Sequence, residues 1–242
     1  MALKIFVDFD GTITRNDVGN EFFLRFGGSV CEGLVAQYHR GEITAQECFR
    51  REAAAIGAIV PAELDGFLAG QEIDPAFPRF VEFCRIRGID LTVVSDGLDY
   101  YINAILGTHG IKGLTVFSNV LELGAPDAEG RAPITLRFPN TDAECGVCAS
   151  CKRNVMLTRA GDDDILVYVG EGFSDRCPAG YADVVFAKDA LQAYCQQENI
   201  SYFLYASFDD VMKRMMELIA RKRMRQRRRA ELRRREVFSS EP

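Results

Sequence analysis

Short unbroken apolar runs recur along the chain, each ending on polar residues, as expected of strands buried on both faces. Leu3 to Val7 is the first and closes on Asp8. Ile89 to Val94 closes on Ser95-Asp96-Gly97, and Ile165 to Val169 closes on Gly170-Glu171-Gly172. Val184 to Ala187 is a fourth run. Leu114 to Leu123 and Ile134 to Phe138 are also strand-like, with a Gly/Pro-rich turn between them. Between the strands the spacing becomes helical. Phe77, Phe80, Val81 and Cys84 mark one face of a helix over Pro75 to Arg87, stopped by Gly88. Tyr100 to Leu106 and Cys151 to Thr158 predict two more. Strands alternating with helices predict an α/β fold with a parallel sheet covered on both faces.

One stretch breaks the alternation. From about Asn16 to Ile73, Phe22, Phe23 and Phe26, then Val30, Leu34 and Tyr38, then Cys48, Phe49 and Ala53 recur at helical spacing. Gly27-Gly28, Gly41 and Pro61 punctuate them. No strong strand interrupts, so a small all-helical insert is predicted after the first strand. The predicted division is a core of 1–15 and 75–212, an insert of 16–74 and a C-terminal extension of 213–242.

Composition narrows the class. Of 242 residues, 48% are apolar and 26% charged, enough for a core and too apolar for disorder over most of the length. The formal charge of -6 hides a split. Lys213 to Pro242 holds 12 Lys/Arg against 4 Asp/Glu, a balance of +8, whereas 1–212 stands at -14. Two readings of the basic segment are open: a solvated, partly helical extension, or a contact for an anionic partner such as nucleic acid or a membrane surface. No apolar run approaches the ~18 residues of a membrane span. The N-terminal run is too short for a signal peptide, so a cytoplasmic location with reduced thiols is expected. The eight cysteines are then free thiols or metal ligands. Cys145, Cys148 and Cys151 are spaced like metal ligands, but three fall short of zinc's four; Cys177 is a possible fourth. Alternatively, the run is a turn of small residues that delivers Lys152.

The chemistry lies at the strand ends. In an open parallel sheet, ligands bind beyond the carboxyl ends of the strands. Asp8 and Asp10, Ser95, and Glu171 with Asp175 therefore converge on one crevice. One carboxylate of Asp8-Phe9-Asp10-Gly11-Thr12 can attack while the second moves protons. Four carboxylates in one crevice call for a hard cation such as Mg²⁺. Ser95 adds a hydroxyl donor, and Lys152 adds positive charge. Together these parts suit phosphoryl transfer.

Asp8-Phe9-Asp10-Gly11-Thr12, Ser95, Lys152 and Gly170-Glu171-Gly172-Phe173-Ser174-Asp175 resemble, in order, the four motifs of the haloacid dehalogenase superfamily. The resemblance covers roughly 1–210 and implies a Rossmann-like core with a small helical cap, as in phosphoserine phosphatases. Cys145 to Lys152 and Phe186-Ala187-Lys188-Asp189 resemble the methionine-salvage branch, which acts on 2-hydroxy-3-keto-5-methylthiopentenyl-1-phosphate. The implied function is a Mg²⁺-dependent phosphomonoesterase acting on a small phosphorylated metabolite. Asp8 would form an aspartyl-phosphate and Asp10 would act as acid, then base. Thr12, Ser95, Asp96 (through its backbone) and Lys152 would hold the phosphoryl group. Asp8, Asp10, Glu171 and Asp175 would hold the metal. Asp17, with Arg50 or Arg51, would contact substrate from the cap. Phosphoserine, phosphocholine and phosphoethanolamine are alternative substrates, and a weakly active binding protein acting through the basic segment is the alternative outside enzymes. The sequence departs from the pattern at Glu171, where Asp is usual, and at Asp96, where Gly is common.

Overall fold

The computed structural model describes residues 2–142, 145–221 and 224–239. The chain opens with β1 (Leu3–Val7), followed by α1 (Val18–Gly27), α2 (Val30–His39), α3 (Ala45–Ile56), β2 (Ala58–Ile59) and α4 (Pro61–Ala69). Next come α5 (Phe77–Ile86), β3 (Asp90–Leu98), α6 (Asp99–Thr108), β4 (Thr115–Leu123), β5 (Ala132–Arg137) and α7 (Lys152–Arg159). The remainder is β6 (Ile165–Gly170), α8 (Arg176–Tyr181), β7 (Val184–Ala187), α9 (Asp189–Gln197), β8 (Phe203–Leu204), α10 (Phe208–Ala220) and α11 (Arg228–Ser239).

The sheet runs β2-β5-β4-β3-β1-β6-β7-β8. Its centre is parallel: Val7 of β1 lies opposite Val93 of β3 on one side and Val169 of β6 on the other. Side chains alternate across it. Ile5, Val7, Val93, Val167 and Val169 face one layer with Phe77, Phe80 and Ile102. Phe6, Val94, Leu166, Tyr168 and Val185 face the other with Met156, Ala179 and Leu191. Both faces are therefore dry, which is why these strands read as continuous apolar runs.

Two expectations need correction here. The sheet is not parallel throughout, because β5 pairs antiparallel with β4, and β2 antiparallel with β5. The insert is not wholly helical either. Gly57, at φ 68, ends α3, and Ala58–Ile59 then adds to the sheet edge. A two-residue strand made by a distant partner leaves no periodicity to read.

The basic segment is also corrected. Its first residues complete α10, which packs on the core through Met215 and through Phe208, whose ring lies 4.8 and 5.2 Å from those of Phe77 and Phe80. Beyond it, α11 docks on α8. Arg227 donates to the carbonyls of Ala179 and Gly180 at 2.8 and 3.0 Å. Arg234 is 8% exposed and donates to Tyr181 O and Asp183 Oδ1. Arg229 donates to Glu198 O at 2.7 Å. Helix-end carbonyls and a buried carboxylate need donors, and these guanidinium groups supply them. Arg227, Arg229 and Arg234 are thus tied to the fold, while Arg221, Arg225 and Arg228 are exposed. Among the described residues, no helix is long and apolar enough to cross a membrane.

Candidate active site

Four segments meet at the carboxyl end of the sheet. β1 ends at Val7, and the Asp8 N–H continues its pairing by donating to Val169 O at 3.0 Å. The chain then turns back sharply. Gly11 sits at φ 66, and its N–H donates to Asn16 O and Thr14 Oγ1. Only glycine adopts that angle without strain. β3 extends through Ser95-Asp96-Gly97 instead of stopping at Val94, with a register shift against β4 between Val94 and Leu98. The irregularity lets Ser95, Asp96 and Gly97 all line the cavity. α7 begins at Lys152 and sends its ammonium between two carboxylates, 2.7 Å from Asp8 Oδ1 and 2.7 Å from Asp175 Oδ1. Ser174 Oγ is a third acceptor at 2.8 Å.

Asp10 is gripped from three sides. Tyr101 donates to its Oδ2 at 2.7 Å, Ser95 Oγ to the same oxygen at 3.3 Å, and the Gly19 N–H to Oδ1 at 3.1 Å. Gly19 opens α1, so the first helix of the insert holds this carboxylate directly. A Cβ on Gly97 would overlap the Tyr101 hydroxyl, so the glycine is what admits that ring. Helices α1 to α3 roof a cavity of about 300 Å³ that includes Asp8, Asp10, Lys152 and Glu171.

Burial dominates the electrostatics. It raises Asp8 well above the ordinary carboxylate range, reinforced by Asp175 and opposed by Lys152. Burial and the Asp17 charge push Asp10 up to about 7. Burial and Asp175 push Glu171 up to about 7 as well. Asp175 goes the other way: burial opposes its charge, but Lys152, Tyr168 and backbone N–H groups outweigh it and lower the pKa. Burial likewise disfavours the Lys152 cation, yet Asp175, Asp8 and Asp96 hold it charged.

The structure brings together Asp8, Asp10, Ser95, Asp96, Lys152 and Glu171, and sets others apart. Thr12 is buried beside Tyr205, and it does not line the cavity. Asp96 is tied down, its Oδ1 accepting from the Ser150 N–H at 2.7 Å and its carbonyl accepting from Asn119. It thereby fixes the loop that delivers Lys152. Asp175 has both oxygens committed: Oδ1 to Lys152 and Tyr168, Oδ2 to the N–H groups of Glu171 and Gly172. It thereby orients the loop after β6. Asp17 caps α1 by accepting from Asn20 N and lines the cavity. Arg50 and Arg51 do not. Arg50 donates to Gln46 and lies over the Phe138 ring, and Arg51 pairs with Glu47. They are exposed on α3 and neither lines the cavity.

Cys145, Cys148, Cys151 and Cys177 lie within range of one another's charge. Cys145 and Cys177 are exposed, Cys151 is buried, and among the described residues no three His, Cys, Asp or Glu are arranged to hold an ion. Hydrogen bonds from Cys151 N to Asn140 O and from Ala45 N to Val147 O show the run working as a loop that sets the start of α7. Among the described residues the acids of the crevice are not gathered into such a group either, but their chemistry suits a hard cation: Glu171 folds over Gly11, its Cδ 3.1 Å from where a glycine Cβ would lie, and burial and the Asp175 charge raise its pKa.

Sequence reasoning missed Tyr101, Tyr168, Ser174 and Glu52, and the contact between insert and core. Phe173 packs against the rings of Tyr38 and His39 at 5.5 and 5.3 Å. Aromatic residues on helices read as core, and nothing local marks which of them face a cavity.

A central parallel sheet with an Asp-x-Asp-Gly-Thr turn after β1, Ser on β3, Lys opening α7, an acidic loop after β6 and helices inserted behind β1 defines a phosphatase of the haloacid dehalogenase type. The chain belongs to the Putative Phosphatase family, whose model matches residues 3–203. It is 27% identical to a 2-hydroxy-3-keto-5-methylthiopentenyl-1-phosphate phosphatase of Bacillus cereus, over 90% of this chain and 98% of that one. The protein of the same name from Geobacillus kaustophilus is 30% identical over 87% of this chain and 94% of its own. Among solved structures, a phospho-aspartyl intermediate analogue of phosphoserine phosphatase matches with a TM-score of 0.64 at 17% identity. It covers 88% of this chain and 98% of that one, a likeness of fold.

Proposed function

We propose that the protein hydrolyses a small phosphomonoester through an aspartyl-phosphate on Asp8, with 2-hydroxy-3-keto-5-methylthiopentenyl-1-phosphate as substrate. The observation that carries the chemistry is the Asp8–Lys152–Asp175 chain beside an Asp10 poised near neutrality. Lys152 holds one oxygen of Asp8, leaving the other to attack phosphorus in line. Asp10 in its neutral form protonates the leaving oxygen, and in its charged form takes a proton from the water that cleaves the acyl-phosphate. A group with pKa about 7 can serve in both roles at neutral pH. Ser95 and Lys152 face the transferred group. Helices α1 to α4 act as the cap that excludes bulk water.

Asp8, the backbone carbonyl of Asp10 and Glu171 would hold Mg²⁺, with Asp175 orienting their loop. When bound, the ion neutralises charge on the phosphoryl oxygens and lets buried Asp8 ionise. The substrate assignment rests on the relatives, which match nearly end to end. Phosphoserine fits less well, because Arg50 and Arg51 do not line the cavity and leave its carboxylate unpaired.

The test is phosphate release from this substrate and from para-nitrophenyl phosphate, with and without chelator. Asp8→Asn is expected to abolish both reactions. Full activity in that variant would overturn the nucleophile, and full activity in chelator the metal. Turnover of the aryl phosphate alone would overturn the substrate.

A further inference from the structure

The roof of the cavity carries an acid that the reaction does not use. Glu52, on α3, is 3% exposed and still lines the cavity. Its polar neighbours are the Cys48 thiol, which hydrogen-bonds to it, and the Asp17 carboxylate, which repels it. Among the described residues no cationic side chain pairs with it. Arg50 and Arg51, next to it in sequence, are exposed, and Lys152 is committed to Asp8 and Asp175. The surrounding wall is Phe23, Val35 and Phe49.

An unpaired carboxyl in such a place costs stability. A leucine or glutamine would fill the volume without that cost. Its effect on a ligand is clear in sign. A substrate held by its phosphate in the Asp8–Lys152 crevice has its body in the space roofed by α1 to α3, which Asp17 and Glu52 also line. An anionic group on that body would meet Glu52 and Asp17, and among the described residues the basic side chain of the cap that lines the cavity is the His39 imidazole. Like charges so placed cost several kcal/mol. A hydroxyl, carbonyl or ammonium group would not incur that cost.

We propose that Glu52 is the specificity-determining residue of the cap, admitting phosphomonoesters with an uncharged or cationic body and rejecting those that carry a carboxylate or a second phosphate. This rests on the phosphatase reading above and deepens it by naming the substrate class.

The test compares 3-phosphoglycerate with glycerol 3-phosphate, which differ by one carboxylate, as competitive inhibitors of para-nitrophenyl phosphate hydrolysis. At a pH of about 8.5, where Glu52 is ionised, the wild-type protein is expected to bind glycerol 3-phosphate at least about tenfold more tightly. In Glu52→Gln that ratio is expected to fall to within about threefold, and in Glu52→Asp, which keeps the charge, to persist. An unchanged ratio in Glu52→Gln, or equal binding to the wild type, would overturn the proposal. Should Glu52→Gln fail to fold, Glu52→Leu takes its place. If the wild type releases no phosphate, the phosphatase reading fails instead, and calorimetric titration of the same two ligands still decides the role of Glu52.

Discussion

The Tyr101 hydroxyl donates to Asp10 Oδ2 at 2.7 Å across 91 residues of chain, and both residues line the cavity. The bond joins the first helix after β3 to the turn after β1. It holds the acid/base carboxyl in one rotamer and favours its charged form. Tyr101→Phe is expected to lower kcat by about tenfold with little change in KM. The limb of the pH–rate profile set by Asp10 should move to higher pH. A profile that keeps its position would show that Tyr101 only packs.

Lys152 bridges Asp8 and Asp175 with both partners almost fully buried. Lys152→Met leaves two carboxylates facing each other without a cation. A loss of about 3–5 kcal/mol in stability is expected, read by urea unfolding, together with loss of turnover of at least about a hundredfold. Stability within error of the wild type would contradict the burial argument.

Glu171 and Gly11 are coupled by contact. A Cβ at position 11 would lie 3.1 Å from the Glu171 carboxyl carbon, and φ 66 is strained for alanine. Gly11→Ala should raise the Mg²⁺ concentration giving half-maximal activity. Glu171→Asp withdraws the carboxyl by one methylene and should change that concentration far less than Glu171→Ala. Equal midpoints for Glu171→Asp and Glu171→Ala would argue that position 171 is not a ligand.

The Glu52 carboxyl is pushed up to about 7 from 4.5, by burial first and by Asp17 second. The folded state therefore binds its proton more tightly than the unfolded chain. The associated stability is complete below about pH 4.5 and is lost as pH rises through 7. Glu52→Gln should consequently melt higher than the wild type above pH 7, by up to about 3 kcal/mol in free energy, with the gain vanishing toward pH 4.5. A gain independent of pH would point to packing instead of charge.

Arg234 pairs with Asp183, whose side chain is fully buried and also accepts from the N–H groups of Leu166 and Arg227. Arg234→Ala strands that carboxylate and should cost about 3 kcal/mol in thermal unfolding. A neutral effect would show α11 to be loosely docked.

The central strands were legible because they are buried on both faces, Asp8, Asp10, Ser95 and Glu171 because each follows one of the apolar runs, and Lys152 because it opens a helix. The short edge strand β2 was not legible, since its pairing with β5 depends on a partner more than seventy residues away. Arg50 and Arg51 were misread for the same reason: a helix places basic residues on one side by its own pitch, but which side meets the cavity is set by its neighbours. The basic segment misled most. A run of arginines describes charge, whereas α11 uses several of those charges to satisfy carbonyls and a buried aspartate that sit far away in sequence.

The amino-acid sequence by itself determined the alternation of strands and helices, the helical interruption after β1 and the reactive residue types at strand ends. These follow from local periodicity and from the convergence of parallel strands on one edge. Tertiary structure alone decided the hydrogen-bond partners of each carboxylate, the commitment of Asp175 to its loop, the cavity-facing position of Glu52 and the docking of α11. Burial and partner distance set the pKa values and the charge balance, and both are properties of packing between segments that the chain order keeps apart.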